Sequence, residues 1–110
     1  MDIEDILLKA VRNRTTVKLR YRSSSGSIND LGWRLAQPHV LYRSTHGTYV
    51  DVYQISGATS SKSLPGWRPL IVDNILELEE LEVTFTPAPG LNLSSNRYTH
   101  LVAHCMEDAR

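Results

Sequence analysis

The chain has a single cysteine, Cys105, in 110 residues. No disulfide within the chain is therefore available. A lone thiol fits a reducing compartment, so a cytoplasmic location is expected. No apolar run approaches the roughly 18 residues of a membrane-spanning helix. The opening segment MDIEDILLKAVRNR is acidic first and basic later, which is not the order of a secretory signal. A glycine-rich phosphate loop is missing, and so are internal repeats. Net charge is lacking too, with 12 basic and 12 acidic side chains.

Reactive constellations are equally scarce. His100, His104 and Cys105 would share a helix face if that segment were helical. A structural zinc needs four ligands, and His39 or His46 would have to arrive from elsewhere. A Cys–His nucleophilic pair would need an oriented base and an oxyanion hole, and the sequence signals neither. The acids between residues 73 and 82 have no partner that suggests paired-carboxylate chemistry. The expectation is a domain with no enzymatic activity, no metal and no cofactor.

What is present is a charge asymmetry hidden by the zero sum. Residues 9–22 carry Lys9, Arg12, Arg14, Lys18, Arg20 and Arg22 and no acid. Residues 73–82 carry Asp73, Glu77, Glu79, Glu80 and Glu82 and no base. The stripe Lys18, Arg20, Arg22 could follow a phosphate backbone. Equally, the two segments could attract each other across the fold.

Ile3, Ile6, Leu7, Ala10 and Val11 recur at spacings of three and four, which predicts an amphipathic helix over residues 3–13 with Asp2 as its cap. Ile3, Ile6, Leu7 and Ala10 are expected to face the sheet. At Thr15 the period changes. Val17, Leu19 and Tyr21 alternate with basic residues, as in a half-buried strand. SSSGSIND reads as a hairpin connection. Further strands are expected over residues 33–42, bent at Pro38, and over 48–55. Two more follow over 67–72, where Pro69 limits pairing to one side, and 75–85. SGATSSKSLPG is a loop. The tail from residue 97 is expected to form a short helix or to fray.

Four blocks in this order resemble the WYL domain, the ligand-sensing domain of prokaryotic regulators. The first is ILLKAVRNRTTVKLRYRS, a helix, a basic connection and a strand ending in tyrosine. The second is the RLAQP of residues 34–38, an arginine-x-apolar-x-proline element, followed by HVLY. The third is GTYVDVY of residues 47–53, where Thr48-Tyr49-Val50 stands in place of Trp-Tyr-Leu. The fourth is RPLIVDNI of residues 68–75, in which Ile71 and Asn74 replace two arginines of the family pattern. The resemblance implies a mostly β fold, a small SH3-like or Sm-like barrel preceded by one helix, over residues 1–86. Residues 87–110 would be a tail or short extension.

The resemblance also implies an anion site at Arg34 and Arg68, with Tyr49, Trp33 and Trp67 as neighbours. Guanidinium groups suit phosphate, and an adjacent ring can hold a base. The implied function is sensing of a nucleotide or nucleic acid, single-stranded nucleic acid included, by a cytoplasmic bacterial regulator of transcription. A DNA-binding domain would lie outside this chain. The alternative is a protein-interaction or oligomerisation module that has lost ligand sensing. Prolines at strand positions leave sheet edges open, so a homodimer is expected.

Overall fold

The computed structural model describes residues 2–22, 32–58 and 64–106. The SSSGSIND connection and the middle of the SGATSSKSLPG loop lie outside the described residues.

Helix α1 covers Ile3–Asn13, as the spacing predicts. The Asp2 side chain accepts from the Glu4 backbone N–H at 3.0 Å, satisfying one of the donors a helix start leaves open. The helix ends at Arg14, which takes a left-handed conformation (φ 56°) and returns its N–H to Ala10 and Val11 carbonyls. Leu7, Ala10 and Val11 are buried, and Ile3 and Leu8 pack at the margin of the core. Ile6 is only partly buried, because the buried stripe runs through Val11 instead.

Six antiparallel strands follow. They are β1 (Thr15–Tyr21), β2 (Trp33–Ser44), β3 (Gly47–Gly57), β4 (Gly66–Ile71), β5 (Ile75–Thr84) and β6 (His100–His104). The sheet order is β4-β3-β2-β1-β5. β2 is the long central strand. One edge pairs with β3 throughout; the other pairs with β1 over residues 33–36 and with β6 over residues 40–43. Pro38 falls between those two pairings, where the register with β3 also shifts. Its missing N–H thus sits where the ladder is already interrupted. The segment expected to be a helix or to fray is β6, whose Ala103 is buried against Val11, Phe85 and Cys105.

The sheet is not closed into the barrel expected from sequence. β4 and β5 are its two ends, joined only by a 3-10 turn over Val72–Asn74. Pro69 lies on β4 opposite Asp51 and cannot donate to any further strand. At the end of β4 the Ile71 N–H donates to the Tyr21 phenol oxygen at 2.9 Å. A side-chain oxygen of β1 takes the place a closing strand's carbonyl would hold. The larger of the two buried clusters joins Val17, Leu19, Ala36, Val50, Val52 and Leu70 to Leu7 and Ala10 of the helix. Burial of each such aliphatic side chain is worth about 1.5–3 kcal/mol.

Candidate functional site

Strand register decides which candidate residues meet. Leu19 lies opposite Arg34, and Val52 lies opposite Arg68. Directly opposed residues share a sheet face. Arg34 and Arg68 therefore both belong to the core-lining face, and so does Gln54, two residues beyond Val52 on β3. Arg34 is only 5% exposed. Its guanidinium lies 5.2 Å from the centre of the Tyr21 ring, within cation–π range. Arg34 Nη1 reaches Gln54 Oε1 at 3.5 Å, the long limit of a hydrogen bond. Gln54 is fully buried and is held by donation from Nε2 to the carbonyls of Ala58 (2.8 Å) and Ser56 (3.3 Å). Arg68 Nη1 donates to the Trp67 carbonyl at 2.9 Å.

The three aromatic candidates lie on the other face, because neighbours along a strand point to opposite sides. Trp33 is 45% exposed, and Lys18 Nζ stands 4.9 Å from its ring centre. Trp67 packs edge-on against His39 at 4.8 Å and Tyr53 at 5.3 Å, and its indole N–H donates to the Pro89 carbonyl at 3.2 Å. Tyr49 stacks on Tyr42 at 5.6 Å. The two arginines thus share one face of the sheet, on β2 and β4 with β3 between them, and the three rings lie on the other.

The basic stripe faces the acidic segment. β1 pairs with β5 so that Lys18 opposes Glu79 and Arg20 opposes Glu77. The ion pairs are Lys18–Glu79 at 3.5 Å and Arg20–Glu77 at 2.6 Å, with Lys9–Glu80 at 3.8 Å beside them. Of the two readings open from sequence, mutual attraction is the one formed at Lys18 and Arg20. Arg22 follows β1 and donates its backbone N–H to the Asn74 carbonyl at 2.9 Å.

Sequence reasoning missed a polar cluster on the outer face. The Asp51 carboxylate is nearly buried and accepts from Tyr42 Oη at 2.9 Å and Tyr98 Oη at 2.5 Å. Arg97 Nε lies 3.6 Å from the same carboxylate, and Arg97 Nη2 donates to Tyr42 Oη at 3.3 Å. Burial pushes the Tyr42 phenol up to about 12, and Asp51 adds to the rise. Burial, followed by the hydrogen bond to Asp51, also raises Tyr98 far above the usual tyrosine range. Both phenols remain protonated donors at neutral pH and are not nucleophiles. The signal for Asp51 was an acid flanked by Val50 and Val52 in an otherwise apolar strand. Arg97 and Tyr98 lay in a segment read as a tail.

In the sequence His39 stands out as the start of the HVLY strand block and as one of the histidines a metal would need. It is fully buried, with Nδ1 2.7 Å from the Gln37 carbonyl and Nε2 accepting from the Ala88 N–H at 2.9 Å. Burial lowers its pKa, against a smaller opposing effect from the Gln37 carbonyl. A neutral ring with the proton on Nδ1 satisfies both contacts. His100 and His104 stand on a strand, where four residues span about 13 Å. Among the described residues no group of three or more His, Cys, Asp or Glu is placed to hold a metal ion. Cys105 is buried, and desolvation pushes its thiol up to about 11. No helix among the described residues is long and apolar enough to cross a membrane.

Comparisons with protein families, with curated proteins and with solved structures find no match to this chain.

Proposed function

We propose that this chain is a non-catalytic, ligand-sensing domain of the WYL type, which binds a nucleotide or short nucleic acid through Arg34, Gln54 and Arg68. The observation that carries this reading is the shared sheet face of the two arginines, set by the opposed pairs Leu19–Arg34 and Val52–Arg68. A buried arginine held against Tyr21 and Gln54 is a preorganised fork for phosphate oxygens. The same reading treats the sheet as an opened SH3-like or Sm-like barrel. β1 borders both β2 and β5, so the first and last of the five main strands lie together. Ile71 and Asn74 in place of arginines reduce the charge, and the expected affinity is about micromolar or weaker.

The test is titration of nucleotides and short oligonucleotides by calorimetry, with thermal stabilisation as a second readout. Wild type binds, and binding weakens with salt. Arg68→Gln loses affinity while keeping the circular dichroism of wild type. Arg34→Ala removes a buried side chain and is read only alongside that folding control. Equal binding by wild type and Arg68→Gln overturns the assignment.

A second reading, an interaction or dimerisation module, is favoured by one observation. Trp33, Leu35 and Ile55 are exposed on the outer face, and β4 and β5 leave open edges. Light scattering that gives a dimer mass, without any nucleotide binding, selects it.

A further inference from the structure

The Asp51 cluster does more than fill the outer face. Arg97 stands between two open clefts that share it as a wall. The first, about 440 Å³, is bordered by Arg43, Arg97 and His100 together with Ser44, Thr45, Asn96 and Thr99. Among the described residues no carboxylate lines it. The second, about 360 Å³, is bordered by Trp67, Tyr98 and Leu91, with Asn92 and Ser95 beside them. Both volumes are in the range that accommodates a small molecule.

The two arginines are fixed from behind. Arg43 Nη2 donates to Glu4 at 2.7 Å and Nη1 to Thr48 Oγ1 at 2.7 Å. Arg97 is held by Asp51 and by Tyr42 Oη, and its guanidinium lies 5.7 Å from the centre of the Tyr98 ring. A guanidinium has five N–H donors, so two such commitments orient the fork and leave further donors for a ligand. The acids that orient the forks are outside the cleft wall. The residues that line it include two arginines, a histidine and three hydroxyl-bearing side chains, residue types that can donate to a phosphate. The adjoining cleft presents aromatic rings, the surface that a flat ring stacks on.

We propose that this double cleft is a second ligand site, separate from the Arg34–Arg68 face, for a phosphate monoester carrying an aromatic ring, such as a nucleoside monophosphate. The phosphate lies against Arg43, Arg97 and His100. The ring lies against Trp67 and Tyr98.

The chain's two tryptophans supply the test. Trp67 borders the cleft, whereas Trp33 lies beside Lys18 and serves as an internal control. A titration followed by ¹⁵N–¹H correlation spectra uses phenyl phosphate, adenosine monophosphate and inorganic phosphate as probes. With the two aromatic esters, the Trp67 indole signal and the amides of residues 43–45 and 96–100 shift saturably, and the Trp33 indole stays in place. Inorganic phosphate binds more weakly and shifts only residues 43–45 and 96–100. Arg43→Gln, a surface change, lowers affinity for phenyl phosphate about tenfold, the size of one charge-assisted contact. Arg12→Gln, an exposed change near the end of α1, leaves it unchanged, and shifts at residues 43–45 and 96–100 instead of 34, 54 and 68 separate this site from the one proposed above. Absence of saturable shifts, full binding by Arg43→Gln, or shifts confined to residues 34, 54 and 68 overturns the proposal.

Discussion

The His39 Nε2 atom accepts a hydrogen bond from the backbone N–H of Ala88 at 2.9 Å and thereby ties the chain after β5 to the centre of β2. The link requires an unprotonated Nε2. Burial holds the folded pKa below the ordinary value of 6.5, so the folded state resists protonation that the unfolded chain accepts. The stability gained is full above about pH 6.5 and declines as the pH falls below it, because the unfolded state then binds more protons. It is fully lost once the pH has passed the lowered folded value. Urea unfolding midpoints should therefore fall as the pH is lowered below 6.5. A His39→Gln variant, less stable at neutral pH, should show a flatter profile over that interval. Parallel profiles for the two proteins would remove His39 as the cause.

Charge reversal on β5 tests the pairing of the basic and acidic segments. Glu77→Lys puts a like charge opposite Arg20 at a half-exposed position. The expected cost is about 0.5–1 kcal/mol at low ionic strength, because exposed pairs are worth little. Added salt should shrink the loss, and Arg20→Glu combined with Glu77→Lys should restore most of it. Chemical denaturation of the four proteins of this cycle gives the coupling directly.

Local periodicity made much of the fold legible. The helix over 3–13, the change of period at Thr15 and the four following strands are written in apolar spacing, which responds to burial on one face. β6 was hidden because Leu101, Val102 and Ala103 form a short apolar run without alternation, and such a run suits helix or strand alike. The open sheet was hidden because closure depends on how two distant strand edges meet. The candidate site was half legible. Motif position pointed to Arg34 and Arg68, but strand alternation separates each from the tryptophan beside it in sequence. The Asp51 cluster depends on contacts between β2, β3 and a segment 46 residues further on, at Arg97. No local spacing encodes that distance.

Gly57 sets where β2 can begin. It has φ of 102°, and a Cβ there would stand 2.2 Å from the Trp33 carbonyl oxygen and 2.7 Å from the Arg34 Cα. Both atoms are backbone, so the clash cannot be relieved by a side-chain rotation. Gly47, at the β2–β3 turn, also has positive φ (124°), but a Cβ there meets open space. Gly47→Ala should therefore cost about 1 kcal/mol from backbone strain alone. Gly57→Ala should cost clearly more and should displace Arg34. Thermal melts rank the two variants, and any ligand affinity at the Arg34–Arg68 face should fall only in the Gly57 variant.

Asp51 is the group whose loss should separate structural from ligand-binding roles on the outer face. Its carboxylate takes two phenol donors and the Arg97 guanidinium while nearly buried. Hydrogen bonds to a charged group contribute about 1.5–3 kcal/mol each. Tyr42→Phe and Tyr98→Phe should each destabilise by about that amount, since removing either hydroxyl leaves the other donors in place. The two changes should not add. Both hydroxyls donate to one carboxylate, Tyr42 to Oδ1 and Tyr98 to Oδ2, so the double variant should differ from the sum of the singles by about 0.5 kcal/mol or more. Asp51→Asn keeps the shape, removes the charge and brings two N–H donors to face two phenol donors. It should therefore cost more than either tyrosine change and release the Arg97 fork. Denaturant unfolding measures the energies, and the Arg97 side-chain N–H resonances report whether the fork remains fixed. Strictly additive tyrosine variants, or an Asp51→Asn protein as stable as wild type, would show that the three contacts do not act as one network.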